Sequence, residues 1–303
     1  MSGPDPAAVD AASGVRSRVE RVRSADGRRL AVTVHEPAGR SPAATCLVAP
    51  AMGVRRTFYA DFARWLAGRG MATATLDYRG TGGSRPLELS RLEARLVDLA
   101  RLDLPAAADR LAGRHPGLPH TYVGHSLGAQ LFGLIPDPDR YRRMLMVASG
   151  SAHWRLWPLP DRWAVATMWY VVVPLLTRVY GHFPARFVGM GDELPAGVAR
   201  DWARWARHPA YAVDEEGRPL REGFRSYRGR IRAVGFTDDP FAPRSAAEEL
   251  LGFWERADRE LVYRDPGELG REAVGHMGFF RPEVADPLWR ESADWLLAAA
   301  EGA

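Results

Sequence analysis

Apolar and polar positions alternate with a period of two over residues 18–23 and 30–35, on either side of Ala25-Asp26-Gly27. That pattern predicts a β-hairpin turned by Asp-Gly chemistry. A continuous apolar run over residues 45–49 follows, as in a strand covered on both faces, and it ends in Pro50-Ala51-Met52-Gly53. Phe58, Phe62, Trp65 and Leu66 then recur at helical spacing until Gly68 and Gly70 close the segment. Residues 71–76 read as a strand, and a helix starts near Asp103 with Pro105 in its first turn. Residues 120–123 read as a strand that runs into Gly124-His125-Ser126-Leu127-Gly128, after which residues 129–134 continue as a helix up to Pro136. Further strands are predicted at residues 144–148, 231–236 and 260–263. Strands alternating with helices predict an α/β fold, a mostly parallel sheet with helices on both faces.

Between Ser149 and Arg230 the alternation stops. Six of the ten tryptophans lie there: Trp154, Trp157, Trp163, Trp169, Trp202 and Trp205. The expected organisation is a loose tail over residues 1–18, a core of residues 19–149 and 230–303, and an inserted helical cap, or lid, over residues 150–229. Within the cap, residues 163–176 are almost wholly apolar, but the run is only 14 residues long, contains Pro174 and is followed by Arg178. A spanning helix needs about 20 residues, so a buried lid helix is expected and membrane contact is not.

Composition narrows the function classes. At 303 residues, 46% apolar and 26% charged, the chain has the make-up of a globular protein with one sizeable core. All 41 basic residues are arginine, and along residues 16–29 and 201–207 they are interspersed with Asp and Glu. The formal charge of +4 therefore belongs to a solvated surface, and no nucleic-acid partner is expected. Cys46, the only cysteine, sits inside a predicted strand and excludes an intrachain disulfide. The first 18 residues hold no apolar leader, which with the cysteine count predicts a cytoplasmic protein. The histidines show no metal-binding spacing and the glycines no dinucleotide or phosphate loop, so no metal and no cofactor are expected.

The chemistry gathers around one serine. A serine hydroxyl is a weak nucleophile at neutral pH and needs both exposure and a base within reach. Strand, Gly-His-Ser-Leu-Gly, then helix supplies the exposure, because small residues at 124 and 128 let strand and helix close around a sharp elbow that presents Ser126. The backbone N–H of Leu127, next to the nucleophile, is placed to receive an oxyanion. For the base, His276 in Gly275-His276-Met277-Gly278 is the only histidine after position 208 and falls on a glycine-flanked loop. For the acid that orients it, Asp238 and Asp239 both follow the strand over residues 231–236.

Pro50-Ala51-Met52-Gly53, Asp77-Tyr78-Arg79-Gly80-Thr81-Gly82-Gly83-Ser84, the Gly124 to Gly128 motif, Asp239-Pro240 and Gly275-His276 together resemble the α/β-hydrolase superfamily over residues 30–300. The chain is similar in particular to a branch of serine hydrolases with a helical cap, matched in Leu194-Pro195 and Asp201-Trp202-Ala203-Arg204-Trp205. The resemblance implies an α/β-hydrolase fold and a Ser126, Asp239, His276 triad, with Asp238 capping a loop. It also implies a second oxyanion donor at the Met52 backbone, where many relatives have His-Gly and this chain has Pro50-Ala51. Trp154, Trp157, Trp163 and Trp169 are expected to wall a binding site for a hydrophobic small-molecule ester or thioester. The rival functions are acyl transfer or cyclisation with the same machinery and ligand binding without catalysis. A homodimer is compatible with either.

Overall fold

The computed structural model describes residues 8–10 and 14–300; residues 1–7 and 11–13 of the expected tail lie outside the described residues. Strand β1 (Ala8–Asp10) pairs antiparallel with β2 (Val15–Arg23). Strand β2 therefore begins inside the segment expected to be loose, because its whole length pairs with β3 (Arg29–Pro37), from Val15 opposite Pro37 to Arg23 opposite Arg29. The sheet continues with β4 (Ala44–Ala49), β5 (Met71–Leu76), β6 (His120–His125) and β7 (Tyr141–Val147). A two-stranded ladder of β8 (His182–Phe183) and β9 (Leu194–Pro195) interrupts it before β10 (Arg230–Phe236) and β11 (Asp258–Arg264) return to the main sheet. Among the described residues the main sheet has nine strands in the order β1-β2-β3-β5-β4-β6-β7-β10-β11, and every neighbouring pair from β5 to β11 is parallel.

The continuous apolar run of β4 is buried at all six positions because the sheet is covered on both faces. Successive side chains alternate between the two layers. Leu47 and Ala49 join a core with Tyr122, Leu104 and Phe132, while Cys46 and Val48 join another with Phe62, Phe279 and Trp289. Residues between β7 and β10 share the first of these layers through Trp169, Trp202 and Trp205, so the inserted segment rests on the main core.

That segment carries the largest departure from expectation. The helix over Asp161–Tyr180 runs unbroken through a π-helical turn at Met168–Val172, which ends two residues before Pro174. Proline lacks an N–H and crowds the carbonyl four residues back, and the wider turn accommodates both effects. The helix is not the buried lid helix expected: only Trp169, Val173 and Thr177, one stripe at four-residue spacing, are buried. Contact along a single stripe leaves the opposite face in solvent.

Candidate active site

Strand β6 ends at His125 and the helix Leu127–Phe132 starts two residues later, with Ser126 between them at φ 50° and ψ −114°. L-residues avoid that region, so the turn must be held by its surroundings. The Ser126 N–H donates to the Val147 carbonyl at 3.0 Å, and the Ser149 hydroxyl donates to the Ser126 carbonyl at 2.7 Å. Glycine at the flanks is a matter of space. A Cβ on Gly124 would sit 2.5 Å from the Ala129 nitrogen, and one on Gly128 would sit 2.2 Å from the Ala49 carbonyl oxygen.

The loop after β10 holds both carboxylates and separates their tasks. Asp239 meets Nδ1 of His276 with its two oxygens at 3.1 and 2.9 Å, and its Oδ1 also accepts from the N–H groups of Phe241 and Ala242 at 2.8 and 3.2 Å. Asp238 faces the backbone instead, accepting from the N–H groups of Val274 and Gly275 at 2.8 and 2.9 Å. One carboxylate thus holds the imidazole and its neighbour holds the loop that carries it. The Asp239 contact puts the neutral ring's proton on Nδ1 and leaves Nε2 as the proton acceptor.

His125, expected from the sequence only to pack beside the elbow, is wholly buried between the two loops. The Ala51 N–H donates to the Tyr59 hydroxyl at 2.8 Å, and that hydroxyl donates to Nδ1 of His125 at 2.8 Å. His125 Nε2–H donates in turn to the His276 carbonyl at 2.9 Å. Burial first, and then the neighbouring His276 ring, push the His125 pKa well below its ordinary value, so the ring is neutral and the chain of donors runs one way. This line of bonds joins the loop after β4 to the loop carrying His276.

The Leu127 N–H, first in its helix, has no carbonyl within the helix to bond. Met52, on the loop after β4, lines the same cleft as Ser126 and His276. The cleft is about 870 Å³, within the size range of small-molecule sites. Its walls include Val54, Phe58, Val165, Met168, Phe241 and Met277. Of the four tryptophans expected to wall it, Trp157 and Trp169 do so, and Trp157 Nε1 is tied to the Pro240 carbonyl at 2.8 Å. Trp154 and Trp163 do not line it. They pack on each other with ring centroids 6.0 Å apart, because the helix turns Ala164, Val165 and Met168 inward and Trp163 outward. Trp202 and Gln130, neither expected as a lining residue, complete the wall. Gln130 is anchored by the Tyr211 hydroxyl, which donates to it at 2.6 Å, and by its own bond to the Gly150 carbonyl at 2.8 Å. Among the described residues no group of three or more His, Cys, Asp or Glu could hold a metal ion.

Residues 40–203 match the family described as serine aminopeptidase, S33. No curated protein matches the chain significantly. Among solved structures, a cold-adapted esterase from an Arctic intertidal metagenomic library is 15% identical with a TM-score of 0.55, covering 99% of each chain. A hypothetical protein from Pseudomonas aeruginosa is 15% identical with a TM-score of 0.63, covering 95% of this chain and 94% of that one. The thioesterase domain from the curacin biosynthetic pathway is 14% identical with a TM-score of 0.53, covering 93% and 99%. At these identities the likeness is one of fold.

Proposed function

Since the chain belongs to the serine aminopeptidase S33 family of α/β-hydrolases, we propose that it cleaves an ester or thioester of a hydrophobic small molecule through an acyl-Ser126 intermediate. In this reading Ser126 Oγ attacks the substrate carbonyl while His276 Nε2 takes the hydroxyl proton, with Asp239 stabilising the imidazolium. The N–H groups of Leu127 and Met52 receive the tetrahedral oxyanion, a donor of this kind contributing about 2.7–4 kcal/mol in the transition state. His276 then hands the proton to the departing alkoxide or thiolate. A water, deprotonated by the same nitrogen, adds to the acyl carbon and releases the acid and free Ser126.

The observation that carries the reading is that Ser126, on a strained elbow, and His276, held by Asp239, open onto one mostly apolar cleft. The apolar wall supports a hydrophobic acyl or alcohol group over a small polar one. Labelling with a fluorophosphonate tests the nucleophile: wild type is expected to label and Ser126→Ala to remain blank, with kcat/KM for p-nitrophenyl esters falling by at least about 10³-fold. Equal labelling of both would remove Ser126 from the mechanism. Longer acyl p-nitrophenyl esters are expected to outperform the acetate, the check on the apolar wall.

A further inference from the structure

The helix Asp161–Tyr180 has two apolar faces with different fates. Ala164, Val165, Met168 and Trp169 line the cleft. The opposite side presents Trp163, 62% exposed, with Tyr170, Val171, Leu175 at 54% and Val179 at 64%. Phe187, 74% exposed, extends the patch through its ring contact with Tyr180 at 6.0 Å. Only 17% of the helix's most apolar window is buried, though by length and composition alone it would suffice to cross a membrane. An exposed apolar surface of this extent on a globular protein marks an interaction site.

We propose that this face docks onto a lipid bilayer bearing anionic headgroups, with the helix lying in the plane of the interface. Its composition fits, since Trp and Tyr beside aliphatic residues suit the boundary between headgroup and acyl chain. Its charge fits as well. Charged groups on the helix or in contact with it and its neighbours include Asp161, Arg178, Arg155, Arg207, Arg186 and Glu193, with Arg162 turned to the Trp157 carbonyl and Arg200 bonded to Thr177. Glu193 is already paired with Arg85 and Arg186. Arg155 and Arg207 are held over the rings of Trp154 and Tyr170 at 5.2 and 5.5 Å. With Arg178 and Arg200 they outnumber Asp161, the helix's one carboxylate, and a cationic border around an apolar centre is what an anionic surface attracts. A second copy of this chain fits poorly, because a two-fold contact would press the same positive rim against itself. Spanning is excluded by the helix's own contacts: one face lines the cleft, the stripe of Trp169, Val173 and Thr177 is buried in protein, and Asp161, Arg162 and Arg178 lie along its length.

The inference concerns adsorption and stands whether or not the catalytic reading holds. Wild-type protein is expected to co-sediment with phosphatidylcholine vesicles containing phosphatidylglycerol and to remain in the supernatant with phosphatidylcholine alone. Leu175→Glu/Val179→Glu, on exposed positions, is expected to lose vesicle binding by more than about tenfold. Arg178→Glu is expected to weaken it by at least about fivefold, the worth of one basic residue near an anionic surface. An unchanged thermal midpoint and circular dichroism spectrum would show that these variants are folded. Wild type left in the supernatant with anionic vesicles, or folded Leu175→Glu/Val179→Glu binding as well as wild type, would overturn the proposal. So would a dimer in light scattering that this double variant converts to monomer, which would assign the face to a second copy.

Discussion

At the scale of single residues, two adjacent carboxylates are set apart by the direction in which each side chain leaves the backbone. Asp239 reaches the imidazole and Asp238 reaches the amides of Val274 and Gly275. An Asn in place of Asp239 offers a neutral amide to Nδ1 and loses the charge that supports an imidazolium, so kcat for a p-nitrophenyl ester is expected to fall by about 10³ to 10⁴-fold. Asp238→Asn keeps an amide oxygen for the loop's N–H groups and is expected to cost no more than about tenfold, seen as much in KM as in kcat. The opposite ranking would exchange their roles. Strand pattern alone leaves both carboxylates open on one loop, and the family resemblance points to Asp239; the structure puts Asp239 on His276 and Asp238 on the loop amides.

At the scale of elements, the elbow is a packing problem between β4, β6 and the helix Leu127–Phe132. Gly128 lies against the Ala49 backbone, which cannot rotate away as a side chain can, so Gly128→Ala forces the helix off the sheet. A loss of about 1–3 kcal/mol is expected in urea unfolding, together with a fall in kcat. Gly113, in the helix Leu104–Arg114, is the contrasting case: nothing lies within 4 Å of its added Cβ. There Gly113→Ala is expected to stabilise by about 0.4–1 kcal/mol, through helix propensity and a less flexible unfolded chain. A destabilised Gly113→Ala, or an unaffected Gly128→Ala, would refute this steric account. The helix Asp161–Tyr180 teaches the converse lesson, since its apolar sequence predicted burial while its neighbours cover one stripe only.

At the scale of the whole molecule, the inserted segment is fastened to the loop that carries Met52. Arg55 grips Asp192 through two bonds of 2.7 and 2.8 Å, Gly82 donates to the same carboxylate at 3.1 Å, and the Asp192 N–H donates to the Gly53 carbonyl at 2.8 Å. Burial works against the Asp192 charge, but Arg55, the Gly82 N–H and Arg85 outweigh it and hold the carboxyl below its ordinary range. A folded pKa below the unfolded one means the unfolded chain takes up the proton first as pH falls. The stabilisation is therefore complete above about pH 3.9 and is lost as pH drops through the lower folded value. Asp192→Asn is expected to lower the melting temperature by about 2–4 °C at pH 7, with the difference closing in acid below about pH 3.9. Calorimetry of both proteins across that range checks it, and a difference independent of pH would deny the carboxylate this part.

The alternation of strands and helices in the core, the sharp turn at Ser126 and the glycine-flanked loop of His276 were legible in the chain itself, because each follows from short-range causes: side-chain period, the steric demand of a tight turn, and the small residues on either side. Choices between near-equivalents were made by packing across long separations. Asp239 meets His276 over 37 positions, and His125 reaches the His276 backbone over 151. Trp169 faces the cleft and Trp163 faces away from it through the rotation of the one helix that carries both, while Trp157 and Trp154, on the turn before that helix, part in the same way. Local pattern determines which element a residue belongs to; the direction a side chain takes is decided by the neighbours that tertiary structure brings beside it.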